Sequence, residues 1–140
     1  MNFPYLVLPG GSLTPRPLLP VTYKYKDYTT KDVLALVDSG ADYSFASLRM
    51  ALELGIKLKG KKQIPIRGFS GSVTECFPEQ LFIRIAGREV LTTIYFGGPL
   101  THEFIPIIGQ ETFFDKAKIT FERYKQAFSV EWRNKPSKRK

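Results

Sequence analysis

Apolar and polar residues alternate over several short stretches of the chain, as they do in half-buried β-strands. The alternation begins in residues 18–25. Residues 81–85 and 90–96 alternate on either side of a glycine-containing turn and predict a hairpin, and residues 119–121 and 128–132 predict a second one near the end. With 140 residues the chain has the length of one domain. The pattern therefore predicts a single, mostly-β domain.

The apolar run at residues 33–37 predicts a buried strand, and a polar turn at residues 26–31 joins it to the strand at residues 18–25. The run ends in Asp38, Ser39 and Gly40. A buried carboxylate costs free energy unless it has partners or a function. Glycine offers the permissive backbone of a tight turn. We therefore expect Asp38 to leave the core at the end of a strand and to face a cleft.

After Asp42 the apolar residues follow helical spacing and predict a short helix over residues 46–54. Its apolar positions are Leu48, Ala51, Leu52 and Ile56. Either Ser44 or Ser47 is the candidate N-cap, with Gly55 at the C-terminal end. A basic loop follows. A short helical turn is also expected at residues 110–115.

Residues 63–77 are apolar and contain two glycines, Gly68 and Gly71, on either side of Phe69 and Ser70. Glycines in such positions suit the tip of a mobile hairpin. The alternative is that they are ordinary turn glycines with no role in binding.

The formal net charge of +8 is unevenly distributed, because five cations follow Glu131 and the rest of the chain carries only +3. A second basic cluster comprises Lys57, Lys59, Lys61 and Lys62. Basic runs are usually solvated surface, so nucleic-acid binding through the lysine cluster and the basic tail is a disfavoured alternative. The single cysteine, Cys76, excludes a disulfide framework and is expected to be a small buried residue.

The N-terminal residues contain no basic segment followed by a long apolar one, so neither a signal peptide nor a membrane span is expected. We therefore expect a soluble protein in the cytoplasm or another intracellular compartment, without a membrane partner.

Two segments resemble the retropepsin-like aspartic proteases. Leu36-Val37-Asp38-Ser39-Gly40-Ala41-Asp42 is similar to their active-site loop, in which an apolar strand precedes Asp-Thr/Ser-Gly-Ala and often a further Asp. Residues 104–114 resemble their second block, two apolar residues and a glycine followed by a short helix. The resemblance implies one retropepsin-like acid-protease lobe, a closed, twisted β-sheet with one or two short helices. It covers residues 18–132, between an N-terminal segment at 1–17 and a basic tail at 133–140 that is expected to be disordered.

The resemblance also implies roles for individual residues. Asp38 is the catalytic carboxylate, while Ser39 and Gly40 position it. Substrate binding falls to residues of the same loop and of the hairpin tip, namely Ala41, Asp42, Gly68, Phe69, Ser70 and Gly71. Asp42 has a second interpretation as a helix N-cap. In the retropepsin block the glycine, here Gly109, allows close approach to the catalytic strand.

One chain carries one such aspartate, so the resemblance implies a homodimer in which two copies of Asp38 activate a water molecule. The expected activity is that of an aspartic endopeptidase acting on extended peptides, with no cofactor and no metal. The hairpin tip departs from the family, because Phe69 is its only aromatic residue. An alternative is therefore a catalytically silent module that dimerises or binds peptides. Serine hydrolase chemistry through Ser39 is disfavoured, because His102 is the only histidine and no Gly-x-Ser-x-Gly elbow is present.

Overall fold

The computed structural model describes residues 1–68, 71–100 and 103–133, and within these ranges the chain forms eleven strands and one α-helix. The strands are β1 (Asn2–Pro4), β2 (Leu18–Tyr25), β3 (Tyr28–Thr29), β4 (Val33–Val37), β5 (Ser44–Ser47), β6 (Ile64–Arg67), β7 (Val73–Ile85), β8 (Arg88–Gly97), β9 (Ile107–Ile108), β10 (Ala117–Glu122) and β11 (Ala127–Trp132). The helix α1 is Leu48–Glu53, a π-helical turn spans Gln110–Phe114 and a 3-10 turn spans Arg123–Lys125. The predicted mostly-β fold is confirmed.

The larger sheet has the strand order β3-β2-β4-β9-β5-β8-β7-β6, and β2 also pairs with β7. This extra pairing closes six of the strands into a ring around an apolar core. Alternation along β2, which predicted this strand, places Val21 and Tyr23 in that core. The largest of its other fully buried side chains are Phe96, Phe113 and Phe128.

Strand β7 is longer than the sequence pattern predicts. It runs without interruption from Val73 to Ile85, whereas we expected a hairpin arm ending near residue 77 and a separate strand at 81–85. Pro78 suggests a break, since proline cannot donate to a ladder. Its neighbours nevertheless pair with β8 on both sides, from Cys76 to Ile85. Strand β7 thus belongs both to the hairpin with β6 and to the hairpin with β8.

A smaller sheet has the order β1-β11-β10. Strand β1 pairs with β11 of the same chain, and the Phe3 ring stacks on Phe128 at a centroid distance of 5.4 Å. This strand belongs to the segment predicted to precede the domain. The boundaries at residues 18 and 132 remain predictions.

The predicted helix over residues 46–54 begins later, at Leu48, because Ser44–Ser47 forms β5 and pairs in parallel with β8. Ser47 is the N-cap, since its Oγ accepts from Met50 N at 3.2 Å. Asp42 precedes β5 and does not cap α1. Leu52, one of the apolar positions that predicted the helix, faces solvent: it is 52% exposed, and Met50, Ala51 and Leu54 are the buried residues. Within the described ranges, no helix has the length and apolar character needed to cross a membrane.

Candidate active site

Asp38 directly follows β4, where the strand leaves the closed sheet. Strand β4 lies beside β9 in parallel, with Val37 opposite Ile108. The ladder continues by one further bond, from Asp38 N to the Ile108 carbonyl at 3.0 Å. The side chain is half-buried. The apolar run of β4 therefore ends with a carboxylate at the rim of the core, as the sequence predicts.

A tight turn orients the Asp38 carboxylate. Its Oδ1 accepts from Gly40 N at 2.9 Å, and its carbonyl accepts from Ala41 N at 3.2 Å. The expected need for a permissive backbone at Gly40 is wrong, because its φ is not positive. A side chain at position 40 is instead disfavoured by lack of space, since a Cβ at Gly40 would lie 3.3 Å from Asp38 Oδ1.

The loop after Asp38 is anchored to the segment that follows β9. The carbonyls of Ala41 and Asp42 accept from Gln110 N at 2.8 Å and Glu111 N at 3.0 Å. The Gln110 Nε2 donates to the Ser39 carbonyl at 2.6 Å. Three carbonyls of the loop are thus held by two consecutive residues. This fixes the backbone next to Asp38.

Gly109 sits where this loop and the π-helical turn come closest. A Cβ there would overlap the Tyr43 carbonyl oxygen and lie 2.6 Å from that of Ala41. Gly109 N donates to Ser44 Oγ at 2.9 Å. Gly109 therefore allows a close backbone approach, but to the loop after the catalytic strand and not, as expected, to the strand itself.

Behind the loop lies a chain of buried hydroxyls that the sequence pattern did not reveal. Ser44 Oγ is 2.6 Å from Thr112 Oγ1, which is 2.8 Å from Thr92 Oγ1. All three residues are buried. Buried hydroxyls require hydrogen-bond partners, and here each one supplies a partner to the next. The only signal in the sequence was a polar residue at an inward position of β5 and of β8.

A cleft of about 670 Å³ separates the Asp38 loop from the β6–β7 hairpin. Of the residues predicted to form the site, Asp38, Gly40, Ala41, Asp42 and Gly68 line it. Ser39 and Gly71 are not among its described lining residues. Phe69 and Ser70 lie outside the described residues, as does His102.

The hairpin contributes apolar side chains to the cleft. Strand β6 exposes Pro65 and Arg67 on one face and half-buries Ile64 and Ile66 on the other. Opposite these two isoleucines in the ladder lie Cys76 and Thr74. Gly71 has a φ of 84° and donates to the Gly68 carbonyl at 3.0 Å, so the predicted turn glycines do close this hairpin.

An aromatic group that the sequence reasoning missed lines the cleft on the loop side. Tyr43 and Phe45 are lining residues, and the Tyr43 ring lies 4.7 Å from that of Tyr95. Burial raises the pKa of Tyr95, and the nearby Glu111 carboxylate raises it further. Alternation in β5 and β8 places such side chains on one face of neighbouring strands. The parallel pairing of these two strands could not be predicted locally.

Cys76 is buried, as expected, and burial raises the pKa of its thiol. In the basic loop, Lys61 forms an ion pair with Glu79, and this hydrogen bond raises the Lys61 pKa. Among the residues of known placement, no group of three or more His, Cys, Asp or Glu side chains is arranged to hold a metal ion.

No family model matches the chain, and no curated protein matches it. Among solved structures, the EIAV protease complexed with the inhibitor HBY-793 is similar, with a TM-score of 0.51 over 71% of this chain and 86% of that chain. The fold is that of a retropepsin lobe. The two sequences are 21% identical, so the retropepsin likeness concerns the fold alone.

Proposed function

We propose that this retropepsin-like chain is an aspartic endopeptidase whose active form is a homodimer. The supporting observation is the position of Asp38. Its carboxylate is oriented by Gly40 N at 2.9 Å and lines a cleft of about 670 Å³. A cleft of this size, bounded by apolar and aromatic side chains, suits an extended peptide with apolar residues around the cleaved bond.

Hydrolysis by this route requires two carboxylates that share one proton. The ionised carboxylate accepts a proton from water, and the water oxygen attacks the peptide carbonyl carbon. The protonated carboxyl donates to the carbonyl oxygen, which yields a neutral tetrahedral diol. The first carboxyl then passes the proton that it took from water to the amine nitrogen as the C–N bond breaks, and the second carboxylate takes a proton from a diol hydroxyl, which restores the starting pair. Two close carboxyls cannot both ionise readily, so one starts as the base and the other as the acid.

Each chain supplies one Asp38, so the second carboxylate comes from a second copy across a two-fold axis. Ser39 has an exposed side chain next to Asp38, and in the proposed dimer its hydroxyl contacts the second loop and positions both carboxylates. Terminal strands interleave between subunits in retroviral enzymes, but here β1 already pairs with β11 of the same chain. The proposed dimer therefore forms through the surface around the Asp38 loop.

The alternative is a silent module that binds peptides in the same cleft without cleaving them. It is supported by the same apolar lining, which does not depend on Asp38 chemistry. Asp38→Asn keeps the shape of the side chain but cannot share a proton, so it separates the two functions.

The test combines sedimentation of the purified chain with digestion of a broad peptide library from acidic to neutral pH. We expect a wild-type dimer to cleave with a bell-shaped pH profile, because one carboxyl must be protonated and the other ionised. Asp38→Asn should lose about 10³-fold or more of this activity while it remains a dimer. The matched control, Asp115→Asn, changes an exposed carboxylate outside the cleft and should cleave like the wild type. Cleavage by Asp38→Asn, or by a monomer, would contradict the proposal.

A further inference from the structure

The loop side of the cleft is acidic, although the chain as a whole carries a net charge of +8. The charged lining residues of the cleft are Asp38, Asp42 and Arg67. Arg67 is exposed on the β6 face opposite Ile64 and Ile66, and its guanidinium donates to the Gly71 carbonyl at 3.3 Å. The cation therefore lies on the hairpin side of the cleft, across from the loop. The two carboxylates remain as the charges on the loop side.

Asp42 has a fixed backbone and an exposed side chain. Its carbonyl accepts from Glu111 N at 3.0 Å, which holds the residue in place at the cleft. Within the described ranges the ion pairs are Lys61 with Glu79 and Lys125 with Glu122. No cation of the described chain thus neutralises Asp42, so its carboxylate can pair with a charge brought by a ligand.

Tyr43 provides a second feature that favours a cation. Its ring lies in the same cleft wall, tilted against Tyr95 at 4.7 Å and edge-on to Phe45 at 6.5 Å. These neighbours restrict the ring. An aromatic face attracts a cation and also packs against the aliphatic stem of lysine or arginine. Asp42 and Tyr43 both line the cleft, so a bound peptide has a carboxylate and an aromatic ring within one short stretch of the wall.

We infer that Asp42 and Tyr43 form a specificity subsite for a lysine or arginine side chain of the bound peptide. This inference rests on the proposed function, since it assumes that the cleft holds a peptide. The expected preference is modest, because Asp42 is exposed and ion pairs of exposed groups are weak. Together with the aromatic contact, we expect a preference of about 10-fold over a neutral side chain.

Binding to the Asp38→Asn protein tests the subsite without relying on cleavage. Labelled apolar peptides carry lysine, glutamine or glutamate at each position in turn, and fluorescence anisotropy gives their affinities at low and high salt. At one position the lysine peptide should bind about 10-fold more tightly than its glutamine counterpart, and the glutamate peptide more weakly. Added salt should reduce the difference.

Further substitutions in the Asp38→Asn protein show which residues cause the lysine preference. Asp42→Asn should remove most of the lysine preference, and Tyr43→Leu should reduce it while glutamine peptides still bind. Asp115→Asn is the control and should keep the preference. The inference is overturned if lysine and glutamine peptides bind equally at every position, or if the preference survives Asp42→Asn.

The outcomes also separate this inference from the proposed function. Wild-type cleavage of apolar peptides without any lysine preference would refute the subsite and leave the protease intact. A lysine preference without cleavage at any pH would support the subsite in a binding module and contradict the protease. No binding of any peptide would overturn the inference.

Discussion

On the loop side of the cleft, the backbone near Asp38 is held by hydrogen bonds to the segment that follows β9, whereas the hairpin side consists largely of exposed strand. The carbonyls of Ser39, Ala41 and Asp42 each accept a hydrogen bond from residues 110–111. In the hairpin, β6 is the edge of the larger sheet, and residues 71–75 at the start of its partner arm are exposed. The same cleft thus has one rigid wall and one wall with few buried contacts.

This difference matches what each side has to do in the proposed reaction. A catalytic carboxylate must stay in place, and rigid neighbours hold it there. A segment that closes over a peptide must open at low free energy, and such segments have few buried apolar contacts. We therefore expect substitutions on the loop side to cost much more stability than equivalent ones in the hairpin.

The largest contrast should come from two glycines. Gly109→Ala should destabilise the protein by at least about 3 kcal/mol, because its Cβ would overlap the Tyr43 carbonyl oxygen and crowd that of Ala41. Gly71→Ala meets no atom within 4 Å and should cost only about 1 to 2 kcal/mol for its φ of 84°. Urea unfolding measures the free energy of unfolding of both variants, provided that its dependence on urea concentration is unchanged. Equal costs would show that the two walls are equally tolerant.

A smaller effect is expected from the buried hydroxyls behind the loop. Thr112→Val keeps the shape of the side chain but removes the hydroxyl shared by Ser44 and Thr92, and should cost about 2 kcal/mol. Thr120→Val is the control at an exposed position of β10 and should change stability by less than about 0.5 kcal/mol. If both variants unfold at the same urea concentration, the hydroxyl chain does not stabilise the rigid wall.

The smallest effect should be a gain. The Tyr23 hydroxyl is buried and has no hydrogen-bond partner among the described residues. Tyr23→Phe should therefore stabilise the protein by about 1 kcal/mol at neutral pH. The control Tyr124→Phe alters an exposed side chain and should change stability by less than about 0.5 kcal/mol. A loss of stability in Tyr23→Phe would mean that its hydroxyl has a partner.

Alkaline pH should increase the stability that Tyr23→Phe gains over the wild type. Burial raises the pKa of Tyr23 above its ordinary value, so the neutral form is favoured in the folded protein. The stability linked to this shift is complete below about pH 10, where unfolded tyrosine is neutral, and is lost as the pH rises above that value. Wild type should lose stability there faster than Tyr23→Phe. Parallel pH curves for the two proteins would contradict this.

Local patterns were sufficient for much of the fold and for the centre of the candidate site. The alternation in residues 18–25 and 90–96 predicted β2 and β8, and the apolar run before Asp38 predicted β4. These features depend on periodicity, which neighbouring residues express directly. Gly109, in contrast, was singled out by the resemblance of residues 104–114 to the second retropepsin block.

The remainder depended on contacts between distant segments. Ser44 and Thr112 are separated by 68 positions, and Tyr43 meets Tyr95 only because β5 lies parallel to β8. Leu52 followed the helical period but faces solvent, because packing of α1 against the sheet selected Met50 and Leu54 instead. A sequence sets which face of a strand or helix is apolar. Which partner covers that face depends on chain closure, where hydrogen-bond satisfaction and the filling of one shared core are decided together.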